Sequence, residues 1–256
     1  FEYAWAPFYY SAARERGAAA LFATVTTYGV AALGLLTAGL SAVARDLLDV
    51  MTRGVFVQAA PIVAWTAVGV FLQGVYLLTS IGLNITKQTG YYPASTIAAA
   101  AANVGVNYAL IPRYGMIGAA WANAAAYAVQ AGLAFMFSQR VYPVRYEYGR
   151  LARAIAAAGF AFAAATTIPT VPPVIGLFVR GTTVVGVYAA LLWILDFFKR
   201  EPPQLVLLDV MLPGTDGLAV LQSMRNEDPH IPVIMLTGTK SVKTAVDAMK
   251  LGAADY

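Results

Sequence analysis

The sequence predicts a multi-span α-helical membrane bundle followed by a partial α/β segment. Hydrophobic residues make up 59% of the chain and charged residues 12%, with a mean hydropathy of +0.65. Soluble domains carry about 45–50% apolar and about 25% charged residues, so lipid is the expected solvent for most of this surface. The excess is uneven, because residues 18–198 hold only four acids: Asp46, Asp49, Glu147 and Asp196. Two domains of different kinds are therefore predicted, at 1–200 and 201–256.

The apolar part divides into six predicted spans, since about 20 apolar residues cross the hydrocarbon layer. They are expected at 18–44, 60–83, 93–111, 116–137, 154–171 and 182–198. The amphipathic stretch 45–57 is predicted to lie at the membrane interface, with Asp46, Asp49 and Arg53 in water.

The cations between the spans predict the orientation of the chain. One side of the membrane receives nine Lys and Arg residues and the other side four (Arg45, Arg53, Arg113 and Arg180). Cytoplasmic loops carry the excess of positive charge. The chain is therefore expected to be a multi-pass protein of a bacterial inner membrane, with residues after 200 in the cytoplasm. Because the net charge of +4 is explained by these loops, no nucleic-acid partner is expected.

Catalytic chemistry has few candidate residues in this chain. There is no cysteine, and His230 is the only histidine, so thiol chemistry and histidine-cluster metal sites are excluded. No catalytic constellation is present, and we expect no enzymatic activity. The chain opens on Phe1 without an initiator Met, and we expect the sequence to be cut at its start.

Uncharged amides inside the predicted spans form the first candidate site. In lipid such groups turn towards protein or towards a water-filled cavity. One interpretation is helix–helix hydrogen bonding beside small residues, and the other is the lining of a transport cavity. The amides are Gln73, Asn103, Asn107, Asn123 and Gln130.

A basic, aromatic loop at 139–153 forms the second candidate site. Its cations are Arg140, Arg145, Arg150 and Arg153. Arginine binds phosphate in a bidentate manner, so these side chains are candidates for contact with lipid phosphates. The alternative is that they only set the membrane topology.

The periodicity changes after residue 203. The continuous apolar run 205–208 ends at Asp209, and a second run at 232–236 ends at Thr237. Runs of this kind are typical of strands buried in a parallel sheet. Helices are predicted after each strand, at 216–225 and 241–251. The order strand–helix–strand–helix indicates one slice of an open α/β sheet.

Several motifs in the apolar part resemble a known transporter family. FEYAWAPF at 1–8, GVY at 74–76, KQT at 87–89 and the stretch 102–122 are similar to the polysaccharide-exporter branch of the multidrug/oligosaccharidyl-lipid/polysaccharide flippase superfamily. The resemblance implies the C-terminal half of a transporter that moves lipid-linked saccharides by alternating access between two lobes. Membrane lipid and a lipid-linked saccharide would be its partners.

The last part of the chain resembles a response-regulator receiver domain, which has a flavodoxin-like fold. LVLLDVMLPGTDG at 205–217, IPVIMLTG at 231–238 and residues 245–256 carry this resemblance. It implies that Asp209 is the phosphoacceptor, that Thr237 is the switch hydroxyl and that a histidine kinase is the partner. The family holds Mg²⁺ with an acidic pair on its first strand, and a membrane span lies there instead. Asp209 is therefore expected to bind Mg²⁺ only in a complete receiver.

Together these features predict a flippase-like transporter fragment that carries a partial phosphoacceptor receiver, as a truncated or chimeric gene product. The alternative is a membrane-anchored response regulator of a two-component phosphorelay. A junction without function is the third possibility. The sequence does not specify the transported substrate, the coupling ion, the partner kinase or the oligomeric state.

Overall fold

The computed structural model describes residues 9–10, 12–13, 17–195, 197, 206–209, 211–212, 215–227, 233–236 and 249–251. The chain forms two compact units, Phe1–Phe198 and Lys199–Tyr256. We refer to them as the helical unit and the C-terminal unit and describe each by itself. The predicted helix at 241–251 and the segment 1–8 lie largely or wholly outside the described residues.

The first helix, α1 (Ala18–Thr52), is continuous over 35 residues. It ends at Arg53, whose backbone is left-handed with φ 51°, and a left-handed residue commonly terminates a helix. The predicted separate interfacial stretch at 45–57 is wrong over residues 45–52, which continue α1. Asp46, which we expected in water, is only 5% exposed. A buried partner, described below, explains why this acid turns inward.

A short 3₁₀ turn (Val57–Ala59) leads into α2 (Ala60–Thr79), and the short helix α3 (Ile81–Ile85) follows. This arrangement corresponds to the second predicted span at 60–83.

The longest helical stretch, α4 (Tyr91–Val141), reverses direction at Gly115. Gly115 has φ 57° and ψ −135°, a conformation essentially restricted to glycine. On either side of it the chain pairs with itself, because the Tyr91 and Phe137 rings stack with centroids 4.7 Å apart. Gln130 Nε2 also donates to Thr96 Oγ1 at 3.4 Å. The predicted spans at 93–111 and 116–137 are therefore the two antiparallel arms of one hairpin.

The last two helices of the helical unit are α5 (Tyr148–Thr166) and α6 (Pro173–Ile194). Proline at the first position of α6 suits a helix start. Both helices begin earlier than the predicted spans at 154–171 and 182–198. The prediction placed Arg150, Arg153 and Arg180 in loops because they are charged. In the structure all three lie on helices, where each of them has a partner in the protein.

The core of the helical unit depends on small residues. Four alanines of α5, spaced three or four apart, are at most 1% exposed and pack against α1 and α6: Ala154, Ala157, Ala161 and Ala165. Small side chains let helix backbones approach closely. Across the same interface the Tyr188 hydroxyl donates to the Ala31 carbonyl at 2.8 Å.

Large apolar side chains cover much of the outer surface of the helical unit. Leu36, Phe160, Phe178 and Trp193 are between 68% and 76% exposed. Within the described residues, four helical stretches are long and apolar enough to cross a membrane: Ala18–Thr52, Val57–Ile85, Tyr91–Val141 and Pro173–Ile194. The α4 hairpin counts once among them, and α5 is not among them.

The C-terminal unit contains β1 (Val206–Asp209), β2 (Met211–Leu212), β3 (Thr215–Asp216), α7 (Gly217–Glu227) and β4 (Val233–Leu236). β1 and β4 pair in parallel, with Val206 opposite Val233 and Asp209 opposite Leu236. β2 and β3 form a small antiparallel hairpin. Leu208 of β1, Leu221 of α7 and Val233 of β4 are buried, and α7 packs against β1.

Candidate functional site

The first candidate site lies at the carboxyl end of the parallel strand pair in the C-terminal unit. β1 ends on Asp209, and its register partner Leu236 is the last residue of β4. Open α/β sheets place their sites at the carboxyl ends of parallel strands. Thr237, the predicted switch residue, follows β4 directly in the sequence and lies outside the described residues.

Four of the five amides of the helical unit contact protein in the structure, and the fifth, Gln73, is exposed. Asn107 Nδ2 donates to Asn103 Oδ1 at 2.9 Å within one arm of α4, and Gln130 joins the two arms through Thr96. Asn123 lies against Gly69 of α2, because a Cβ at Gly69 would be 3.5 Å from Asn123 Nδ2. Gln73 lies on the exposed surface of α2. These contacts favour the helix–helix interpretation for the described arrangement.

Two apolar cavities of about 410 and 330 Å³ lie along α1 and α2, and α5 contributes to the larger one. They share Thr37 and Phe71 in their walls. Neither cavity is lined by any of the five amides. The five amides thus lie outside the walls of these two cavities, and the transport-cavity interpretation stays a prediction.

The four arginines of the 139–153 stretch do not form one surface. Arg140 and Arg145 are exposed, so contact with lipid phosphates stays a prediction for both. Arg153 is half-buried, and its Nη1 donates to the Leu195 carbonyl at 2.9 Å. Arg150 is only 7% exposed.

The Arg150 guanidinium is occupied inside the protein. Its Nε donates to the Phe197 carbonyl at 2.8 Å, and its Nη1 donates to Glu147 Oε2 at 2.5 Å. The guanidinium carbon also lies 5.2 Å from the centroid of the Tyr28 ring and 4.9 Å from that of Phe197. Cations over aromatic rings at these distances are attracted by the ring quadrupole. Because Arg150 is buried and its Nε and Nη1 bind protein groups, the structure does not favour a lipid-phosphate contact for this residue; its buried Nη2 has no hydrogen-bond partner among the described residues.

A buried ion pair joins α1 to α6, and the prediction from sequence did not include it. Arg180 Nη1 donates to Asp46 Oδ2, and both side chains are at most 10% exposed. Arg180 Nη2 also donates to the carbonyls of Ile168 and Pro169, at 3.3 and 3.1 Å. A Cβ on Gly176 would lie 2.7 Å from the Asp46 carboxyl carbon, so glycine makes room for the acid. The available signal was an acid and a base on the same predicted side of the membrane, with the base, Arg180, isolated in apolar sequence.

Comparison with known proteins identifies sequence relatives for the end of the chain. The response regulator receiver domain family matches residues 176–256. The probable transcriptional regulator ycf27 of Porphyridium aerugineum is 47% identical over 62 residues, which is 24% of this chain and 25% of that protein. The response regulator protein FleR of Pseudomonas aeruginosa is 45% identical over 62 residues, 24% of this chain and 13% of that protein.

The C-terminal unit carries a partial response regulator receiver domain. We call it the receiver segment from here on. The chain spans about a quarter or less of the length of these curated relatives. The regulatory protein AtoC of Escherichia coli shows the same pattern, with 40% identity over 62 residues and 13% of its length covered. No solved structure matches the chain. The flippase resemblance of residues 1–198 has no support among these relatives and stays a prediction.

The matched range begins at residue 176, inside α6 rather than in a strand. Residues 176–194 contain no acid, so this part of the match does not supply the acidic pair of the family. Receiver domains bind Mg²⁺ at the phosphorylation site. Among the described residues of this chain, no three or more His, Cys, Asp or Glu side chains lie close enough together to hold a metal ion. Mg²⁺ prefers octahedral oxygen coordination. The expectation of Mg²⁺ for a complete receiver agrees with the family that the end of the chain matches.

Proposed function

We propose that the chain is a membrane-anchored response regulator segment, in which the helical unit is the anchor and the receiver segment belongs to a two-component phosphorelay. Asp209 is the phosphoacceptor and a histidine kinase is the partner. The observation that carries the proposal is the position of Asp209 at the end of β1, in register with the end of a parallel neighbouring strand. The match of the same unit to response regulators supports this role.

The chemistry of phosphoryl transfer suits this position. Transfer depends on positioning and charge neutralisation more than on covalent machinery. The backbone of Asp209 lies at the end of a hydrogen-bonded strand, so the sheet fixes the position of this residue in the fold. The family supplies this neutralisation through a metal held by an acidic pair, and residues 176–194 of the matched range contain no acid. Asp209 therefore accepts a phosphoryl group only when acidic ligands for the metal are supplied.

The anchoring role rests on the surface of the helical unit. Its four long apolar stretches and its exposed Leu36, Phe160, Phe178 and Trp193 are suited to lipid contact. Water would meet these side chains at a cost of roughly 25 cal/mol per Å² of apolar area. The loop charges favour an orientation with the receiver segment in the cytoplasm, where a kinase would reach it. The helical unit is proposed as an anchor without enzymatic activity.

The test is phosphorylation of the full chain in lipid nanodiscs with acetyl phosphate and Mg²⁺. Two versions are compared: the chain as it is, and a chain in which a first strand with two acids and a fifth strand with Lys, taken from a complete receiver, flank the receiver segment. We expect label on Asp209 in the completed version and none in the other. Asp209→Asn should abolish the label, whereas the matched control Asp216→Asn should keep it. A completed chain without label, or label that survives Asp209→Asn, would remove the assignment of Asp209.

A further inference from the structure

The helix that precedes the receiver segment is held at several points along its length. α6 ends at Ile194, and the receiver segment begins at Lys199. We propose that α6 is pinned at both ends by arginine contacts, so that it is a fixed anchor and not a sliding or rotating helix. This inference deepens the proposed function, because it concerns how the receiver segment is attached.

The first pin lies near the start of α6. Arg180 of α6 pairs with Asp46 of α1 and also donates to the carbonyls of Ile168 and Pro169. Those carbonyls belong to the non-helical connection between α5 and α6. Backbone outside a helix needs partners when it is surrounded by lipid or protein. One buried guanidinium thus ties α6 to α1 and to the connection in front of it.

The second pin lies at the other end of α6. The carbonyls of Leu195 and Phe197 follow the last helical residue and accept from Arg153 and Arg150 of α5, at 2.9 and 2.8 Å. The last carbonyls of a helix lack intrahelical donors, and positive charge is favourable at that end. Glu147 pairs with Arg150, so this pin, like the first, includes an acid beside the arginine.

A third contact fixes the middle of α6, where Tyr188 donates to the Ala31 carbonyl of α1 at 2.8 Å. A shift of α6 by one residue moves its side of each contact by about 1.5 Å. A displacement of that size across a hydrogen bond of 2.8 Å lengthens it to about 3.2 Å, at the edge of the bonding range, so a register change weakens both pins and the middle contact together. The receiver segment therefore follows a helix whose register is held at three places by contacts with α1, with α5 and with the connection between α5 and α6.

The test uses spin labels at the two ends of α6 in the full chain in nanodiscs. The chain has no cysteine, so Val174→Cys and Trp193→Cys each give one labelling site. Both positions are exposed, at 54% and 76%. Each label should give a spectrum with a single slow component. Arg150→Met combined with Arg153→Met should add a mobile component at position 193 and leave position 174 unchanged.

The opposite pattern is expected for the first pin. Asp46→Asn should add a mobile component at position 174 and leave position 193 unchanged. If that single variant fails to insert, the double variant Asp46→Leu with Arg180→Met can replace it, because it removes both charges. It also removes the hydrogen bonds to the connection between α5 and α6, so it should add the same mobile component at position 174.

Exposed cations near each pin provide matched controls. Arg45→Met and Arg145→Met should leave both spectra unchanged. Spectra that stay unchanged in the pin variants, or that change equally in the controls, would overturn the inference. The readout does not involve Asp209, so an immobile α6 together with a completed version that takes no label would reject the signalling role and retain the anchor.

Discussion

The buried pair of Asp46 and Arg180 gives a stability prediction that can be worked out from the structure. Asp46→Asn leaves the Arg180 guanidinium buried without its anionic partner, and breaking a buried pair in this way costs about 3–5 kcal/mol. Arg180→Met costs a similar amount for the stranded carboxylate. It also removes the hydrogen bonds that Arg180 donates to the Ile168 and Pro169 carbonyls, which adds roughly 1–3 kcal/mol to the loss of unfolding free energy.

The double variant Asp46→Leu with Arg180→Met leaves no buried charge, so only the loss of the carbonyl partners remains, at roughly 1–3 kcal/mol. With Asp46→Leu and Arg180→Met as the two single variants, the double-mutant cycle should therefore show a coupling free energy of about 6 kcal/mol or more, above the roughly 0.5–3 kcal/mol that contacting residues usually give. The free energy of unfolding is measured by titrating the full chain from mixed micelles into SDS and following tryptophan fluorescence. Asp49→Asn with Arg45→Met is the control and should stay within about 0.5 kcal/mol. Additive single effects in the double variant would refute the reasoning.

Three further substitutions test the packing of the helical unit in the same unfolding assay. Gly82→Ala places a Cβ 2.5 Å from Ser138 Oγ and should cost about 1–3 kcal/mol, whereas no measurable cost would show that the α3–α4 contact is looser than described. Tyr188→Phe removes the hydrogen bond to the Ala31 carbonyl and should cost about 0.6–1.7 kcal/mol, with a cost near zero arguing against that bond. Asn107→Ala should cost about 1 kcal/mol or less, as expected for a helix-packing amide, and a much larger loss would indicate a different role.

The helices of the first unit were predictable because apolar length is a local property of the sequence. The α4 hairpin follows the predicted break between 111 and 116, since Pro112 and Gly115 mark it in the sequence. The starts of α5 and α6 were not predictable in the same way. Arg150 and Arg180 look like loop residues until their partners are known, and those partners lie 47 and 134 residues away. Pairing across such separations leaves no local pattern.

The candidate site was predictable only in part. The strand β1 and its terminal Asp209 follow from a short apolar run that ends on an acid, and the structure places that run in parallel register with β4. The small hairpin of β2 and β3 was not predicted, because strands of two residues have no periodicity to detect. The prediction that Asp46 lies in water was wrong because two arrangements give the same amphipathic pattern. One is a helix that lies at the membrane interface, and the other is a helix end that buries an acid against a base.

The central claim is that a membrane-spanning helical unit holds the receiver segment on the cytoplasmic side. The most direct measurement is labelling of single cysteines in intact cells with a membrane-impermeant reagent, since the chain has no cysteine of its own. We expect cysteines at Arg145 and Ser223 to be protected until the cells are permeabilised, and a cysteine at Arg113 to react at once. Ready labelling at positions 145 and 223 in intact cells would contradict the orientation and with it the proposed contact between the receiver segment and a kinase.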